Sequence, residues 1–226
     1  MSDKPARTEV GKKPSMTFQS QAQAGWYKKV FAWLMAQGMA EYEEAVSDRK
    51  QALFSDIQGD VLEIGPGAGP NLRYYPKGIH WIGVEPNPYM HSYLQTEAEK
   101  LGLNIDIRTQ SAQSLEFEDN SLDAVVSTLV LCSVPNLPDT LQEIRRVLKP
   151  GGRFFFLEHI AAPNGTLLRT VQSSIRPIWK VIADGCHPDR ETGVALENAG
   201  FKSVDYQHFR ASLPIVSPQI VGVATK

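Results

Sequence analysis

The stretch Val61-Leu62-Glu63-Ile64-Gly65-Pro66-Gly67-Ala68-Gly69 constrains this chain more than any other. A short apolar run, broken only by Glu63, leads into glycines at three alternate positions. Asp60 to Ile64 is read as a buried strand, bounded by residues that cannot prolong it. Glycine lets the chain turn back sharply and lets a ligand approach the backbone with no Cβ in between. In an open α/β sheet, ligands bind beyond the carboxyl ends of such strands.

The rest of the chain from Gly59 onward alternates strand and helix. Ile79 to Val84 is a second strand and Asn87 to Leu101 a helix. Leu103 to Arg108 is expected as the third strand, Leu122 to Thr128 as the fourth and Phe154 to Leu157 as the fifth. Leu137 to Leu148 has helical spacing and stops at Lys149-Pro150-Gly151-Gly152, where proline and glycine cannot continue a helix. Continuous apolar strands alternating with helices imply a parallel sheet covered on both faces. Gly165 to Ile182 has helical spacing interrupted by Pro177, and Glu191 to Ala199 is a further helix closed by Gly200. Lys202 to Phe209 and Ile220 to Ala224 close the sheet as an antiparallel pair. The expected fold is therefore α/β, a doubly wound, seven-stranded, mostly parallel sheet with a C-terminal antiparallel strand pair.

Ahead of this domain, assigned to residues 59–226 with a helical lid insertion over 163–187, the pattern changes. Residues 1–23 are polar and read as a flexible tail. Residues 24–58 form an amphipathic helical segment, with Tyr27, Val30, Phe31, Leu34 and Met35 on one face, widened by Trp26 and Trp33. It packs over the domain, or touches substrate or a membrane surface. The apolar run Val30 to Ala36 falls far short of the roughly 20 residues that span a bilayer. The expected location is cytoplasmic, with peripheral membrane contact left open. Arg169, Arg176 and Lys180 share one side of the insertion helix, as a solvated face or as contacts for an anionic ligand.

A formal net charge of −2 argues against nucleic acid, since phosphate binding needs a basic excess. The two cysteines, Cys132 and Cys186, suggest neither a disulfide framework nor a zinc site, and Cys186-His187 lacks the wider spacing of metal ligands. No metal and no obligate protein partner are expected.

The glycine spacing separates two cofactor classes. A dinucleotide fingerprint G-x-G-x-x-G would need its third glycine at Pro70, whereas here it is Gly69. The form acid-x-G-x-G-x-G resembles motif I of S-adenosylmethionine enzymes. Glu85 ends the second strand 20 residues after Gly65, where a carboxylate accepts from both ribose hydroxyls. Dinucleotide enzymes use the same geometry, so this residue alone does not discriminate. Ser111-Ala112-Gln113 follows the third strand as a candidate adenine contact. Glu143 to Gly152 resembles the E-x-x-R-V-L-K-P-G-G signature of small-molecule methyltransferases.

From Val61 to the C-terminus the chain resembles the thiol S-methyltransferases among class I S-adenosylmethionine-dependent methyltransferases. The resemblance rests on Gly69-Pro70-Asn71-Leu72, Glu85-Pro86-Asn87-Pro88, Thr128 to Val134, Glu158-His159, Asp184-Gly185-Cys186 and Arg190-Glu191-Thr192. It implies S-adenosyl-L-methionine as cofactor, held by Glu63, Gly65, Pro66, Gly67, Gly69, Asn71, Glu85, Pro86, Ser111, Ala112, Gln113, Thr128 and Leu129. It implies a small-molecule acceptor, with a thiol expected and an oxygen or nitrogen acceptor, including a phospholipid headgroup, as the alternative. The animal enzymes carry an N-terminal hydrophobic anchor, from which the polar start of this chain departs. A non-catalytic cofactor-binding protein is a further reading, opposed by the intact glycines and Glu85.

The acceptor should lie over the ends of the fourth and fifth strands. His159 there is a candidate base near neutral pH, with Glu158 beside it and Asp184 approaching from the lid. Cys132 reads as a small buried filler. S-adenosylmethionine should bind in calorimetry and NAD should not. Gly67→Val should abolish that binding by placing a side chain in the ligand's path. Binding of NAD alone would overturn the assignment.

Overall fold

The computed structural model describes residues 18–226. The polar segment expected over 1–23 lies outside the described residues up to position 17. Its last part opens helix α1, Phe18–Gly38. Helix α2, Ala40–Phe54, follows after a break at Met39, so the expected single helical run is split beside Gly38, a weak helix former.

Seven strands then form one sheet in the order β3-β2-β1-β4-β5-β7-β6. Strands β1 (Asp60–Ile64), β2 (His80–Val84), β3 (Asp106–Arg108), β4 (Leu122–Thr128) and β5 (Leu148–His159) run parallel. β7 (Pro218–Thr225) inserts antiparallel between β5 and β6 (Ser203–Arg210). The parallel sheet with a closing antiparallel pair is as expected from the strand pattern. Three strands differ in length by more than a residue: β7 extends beyond the expected Ile220 to Ala224 at both ends, and β3 and β5 begin elsewhere. β3 starts three residues late because helix α3, Pro88–Leu101, ends on Gly102 at φ 65, and Leu103 N–H is consumed by Ala98 O at 2.9 Å. β5 starts early because Lys149 to Gly152 bulge out between two paired registers. Lys149 Nζ holds that bulge on Asp123 Oδ1 at 2.8 Å.

The sheet is buried on both faces. Leu62, Ile64, Val125, Phe154 and Phe156 pack against Leu141 and Ile144 of α4 (Leu137–Val147) and Leu196 of α6 (Thr192–Glu197). Val61, Val126 and Phe155 pack on Phe54 of α2. Burying one such large side chain contributes about 1.5–3 kcal/mol.

The chain moves outward from β1 to β3 and then crosses back to lay β4 on the other side of β1. That reversal opens a crevice beyond the carboxyl ends of β1 and β4. Helix α5, Leu167–Ile182, leads to Asp184, the one residue of the expected lid insertion that lines the crevice, and runs through Pro177 without the expected interruption. Ser173, whose carbonyl loses its partner there, is exposed beside the exposed proline, so water can take that bond. Only Gln172 of α5 is buried, accepting from Ala162 N–H at 2.8 Å and donating to Ile215 O at 2.9 Å. No described helix is long and apolar enough to cross a membrane.

Candidate active site

A cleft of about 730 Å³ occupies the crevice. Gly65, Pro66, Gly67 and Asn71 form its floor after β1, and Glu85 and Pro86 its edge after β2. Ser111 and Ala112 close one end, and Thr128, Leu129 and Asp184 stand on the other side. Gly69, Gln113, Glu63, Glu158 and His159 do not line it.

The three glycines have separate tasks. All have positive φ, at 60°, 57° and 85° for Gly65, Gly67 and Gly69. A Cβ on Gly65 would lie 2.6 Å from Val130 Cγ2, and one on Gly69 would lie 2.7 Å from Leu94 Cδ1. A Cβ on Gly67 would meet no protein atom within 4 Å and would project into open space. Gly65 and Gly69 therefore let the turn pack, and Gly67 keeps the cleft floor bare.

Glu85 ties that turn to the next loop. Its Oε2 accepts from Gly67 N–H at 3.1 Å and its Oε1 from Asn87 N–H at 2.8 Å. Burial pushes its pKa up, and the two amides pull it back. A carboxylate offers about four lone-pair sites, so roughly two remain for a diol. Glu63 lies behind the cleft, accepting from Asn71 Nδ2 at 2.7 Å, Tyr75 OH at 2.9 Å and Trp81 Nε1 at 3.1 Å. It thereby fixes Asn71, which also donates to Thr128 Oγ1 at 3.0 Å. Asn71 Oδ1 is buried with no partner, an acceptor suited to an ammonium group.

Five carboxylates (Glu43, Glu44, Glu85, Glu97 and Asp184) and one guanidinium (Arg73) line the cleft. Glu43 is paired with the buried Lys50 at 2.6 Å and Arg73 with Glu97 at 3.4 Å. The acidic balance opposes a pyrophosphate and favours a cationic ligand such as a sulfonium.

On the acceptor side, Glu158 is wholly enclosed. It accepts from Ser127 Oγ at 2.5 Å, Val130 N–H at 3.1 Å and Leu131 N–H at 3.1 Å, fastening the loop after β4. Burial pushes its carboxyl up to about 7 against those donors. The fastened loop holds Leu129 at φ 56, and Asp184 opposite it has φ 43. Such conformations cost about 1–3 kcal/mol each and cluster at functional sites. Asp184 N–H donates to Tyr27 OH at 3.1 Å, joining α1 to the end of α5. His159 is 2% exposed, and its Nε2 lies 3.1 Å from Cys186 Sγ. Cys132, His159 and Trp179 hold the Cys186 thiol low, while its neighbour Cys132 is pushed up.

Several cleft residues are not among those the sequence assigned to the cofactor or acceptor, although Phe31 and Met35 lie on the apolar face expected to cover the domain. Phe31, Met35, Met39 and Glu43 reach it from α1, α2 and the break between them, far away along the chain. Val130, Ser133, Val134 and Pro135 follow β4, where the sheet topology points but residue type says little. Arg190 binds Leu131 O at 2.6 Å and Val134 O at 2.7 Å, a brace that only the resemblance marked.

A family model described as a methyltransferase domain matches residues 62–156. The human thiol S-methyltransferase TMT1A is 36% identical over 212 residues, covering 88% of this chain and 87% of its own. The mouse thiol S-methyltransferase TMT1B is 39% identical over 214 residues, with the same coverage of 88% and 87%. Among solved structures, the [4+2]-cyclase SpnF superposes with a TM-score of 0.69 at 18% identity, covering 94% of this chain and 97% of that one. At that identity the likeness is one of fold.

Glu85→Ala removes the diol acceptor and leaves two amides without a partner. Affinity for S-adenosylmethionine should fall roughly tenfold to a hundredfold in a folded protein, the equivalent of about 1.5–3 kcal/mol. Calorimetry with circular dichroism on the same sample checks it. Unchanged affinity would put the ribose elsewhere.

Proposed function

This chain belongs to the class I S-adenosylmethionine-dependent methyltransferases, and on that footing we propose that it methylates the sulfur of a small, apolar thiol. The observation that carries the reading is the acceptor wall. Phe31, Met35, Met39, Leu129, Val130, Val134 and Pro135 make it apolar, with Asp184 as its carboxylate. The thiol S-methyltransferases at 36% and 39% identity over most of the chain support the same choice of acceptor.

The cleft residues fit the cofactor. Glu85 would take the ribose hydroxyls, the bare floor at Gly67 the amino-acid arm, and Asn71 Oδ1 its ammonium. Ser111 and Ala112 would flank the adenine. Bound S-adenosylmethionine supplies an electrophilic methyl group on a sulfonium. The chain's part is to align the acceptor, to exclude water with the apolar wall, and to hold a proton acceptor beside it. A thiol needs little help, being about 3% thiolate at pH 7 for a pKa near 8.5. Asp184 is the group placed to take that proton. Glu158 has its oxygens committed to the β4 loop, and His159 faces Cys186 behind the wall.

A lipid surface as the source of an apolar acceptor is favoured by one further observation. Trp26, Trp33 and Leu34 of α1 and Leu167, Ile178, Val181 and Ile182 of α5 are exposed, and Tyr27 joins the two helices beside the cleft. Arg169 and Arg176 are engaged by Glu191 at 2.9 Å and Asp189 at 3.3 Å. Apolar insertion therefore outweighs headgroup attraction in this reading.

With labelled cofactor and a panel of thiols, phenols and amines, apolar thiols should yield methyl thioethers. Product from phenols or amines alone would overturn the proposal. Asp184→Asn should lower turnover at pH 7 by up to roughly 30-fold, and the loss should shrink at pH 9, where about three-quarters of such a thiol ionises unaided. An equal defect at both values would make Asp184 a positioning residue. The protein should also sediment with uncharged phosphatidylcholine vesicles at high salt, and Trp26→Ala with Trp33→Ala should release it. No sedimentation of the parent would remove the membrane reading.

A further inference from the structure

Three side chains from distant stretches converge behind the acceptor wall. Cys132 belongs to the loop after β4, His159 ends β5, and Cys186 follows α5. Their ligand atoms all lie within 4.8 Å of one another. Cys132, His159 and Cys186 are 3%, 2% and 7% exposed, so the cluster is shielded from bulk water. Nothing among the described residues satisfies the His159 Nδ1 atom, so the ring's hydrogen bond to Cys186 is its single side-chain tether.

We propose that Cys132, His159 and Cys186 form a binding site for one thiophilic metal ion of the zinc class. Around a tetrahedral zinc, with Zn–S near 2.3 Å and Zn–N near 2.0 Å, neighbouring ligand atoms stand about 3.5–3.8 Å apart. The spacing in this cluster brackets that value, with His159 Nε2 at 3.1 Å from Cys186 Sγ and all atoms inside 4.8 Å. Two sulfurs and an imidazole select zinc or copper(I) over magnesium or calcium, which take oxygen ligands. Two thiolates also neutralise a divalent ion, which a buried site requires. Binding displaces to solvent the Cys132 thiol proton and any proton shared by Cys186 and His159, and it changes no oxidation state. Ser133 Oγ, 3.5 Å from Cys132 Sγ, marks the cleft side, from which a fourth ligand or water would complete the tetrahedron.

The ion would add a further tie between three segments already linked by Val130 and Leu131 N–H on Glu158, by Arg190 on Leu131 O and Val134 O, and by His187 N–H on Cys132 O at 2.9 Å. Leu129 and Asp184, the two strained residues facing the cleft, lie three and two positions before its cysteine ligands. The site would hold the acceptor wall in shape, whichever acceptor is used.

The unaltered 226-residue chain, kept reduced and with both thiols titrated as free, is titrated with Co²⁺ as an optical probe and Zn²⁺ as competitor. One equivalent of Co²⁺ should produce thiolate-to-cobalt charge transfer, and Zn²⁺ should displace it and raise the melting temperature. Cys132→Ser and Cys186→Ser should each weaken Co²⁺ binding at least tenfold, with His159→Ala retaining charge transfer at reduced affinity. Absence of charge transfer in the unaltered, reduced protein would overturn the site and needs no variant to fold. So would unchanged metal binding in a Cys132→Ser, Cys186→Ser double variant, which would mean adventitious binding elsewhere.

Discussion

Buried carboxylates fastened by fixed donors hold the open edge of this sheet together. Glu63 on β1, Glu85 beyond β2 and Glu158 on β5 are each buried, and each accepts from groups that cannot retreat. A charge removed from water is costly unless hydrogen bonds replace the water. Each bond to a charged group contributes about 1.5–3 kcal/mol net, and more is lost if its donor is left alone. The loops after β1 and β4 anchor on the core through Leu72, Leu131 and Val134, and these acids set the backbone between the anchors. Glu63 aims Asn71, Glu85 pins the Gly67 amide, and Glu158 seats Leu129 through its neighbours Val130 and Leu131. The cleft is what remains between three loops held this way.

Its chemistry follows from what those acids leave free. The floor is bare backbone at Gly67, the rim carries a carboxylate with spare lone pairs, and the overall balance is acidic. A sulfonium with an amino-acid arm suits that environment, whereas a pyrophosphate does not. The far wall is apolar, with Asp184 among the residues that line the cleft. The same fold carries a cyclase at 18% identity, so the reaction class rests on the site and the full-length relatives rather than on the sheet.

The sheet and the glycine turn were legible because each depends on local pattern. Val61 to Gly69 declares a buried strand and a bare turn, and Gly102 caps a helix with its own φ, while the helix expected to close on Gly200 ends earlier, at Glu197. The acceptor side was only partly legible. Glu158 and His159 stand at the end of a strand, where ligands gather in open sheets, yet β5 lies between β4 and β7 and is buried at both residues. Glu158 is covered by the loop after β4, which it binds, and His159 by Cys186 from the segment after α5. The loops that fold over each strand end thus decide which of its residues meet the cleft. Likewise the contribution of Met39 and Glu43, and the meeting of Cys132 with Cys186, depend on how loops far apart in sequence come together.

A crystal structure with S-adenosylhomocysteine tests the central claim most directly. The ribose hydroxyls should rest on Glu85, the amino-acid arm should cross Gly67 towards Asn71 Oδ1, and the sulfur should face the wall between Leu129 and Asp184. A ligand seated outside the Gly65 to Gly69 turn, or one whose ribose leaves Glu85 bonded to Gly67 and Asn87 alone, would contradict the account.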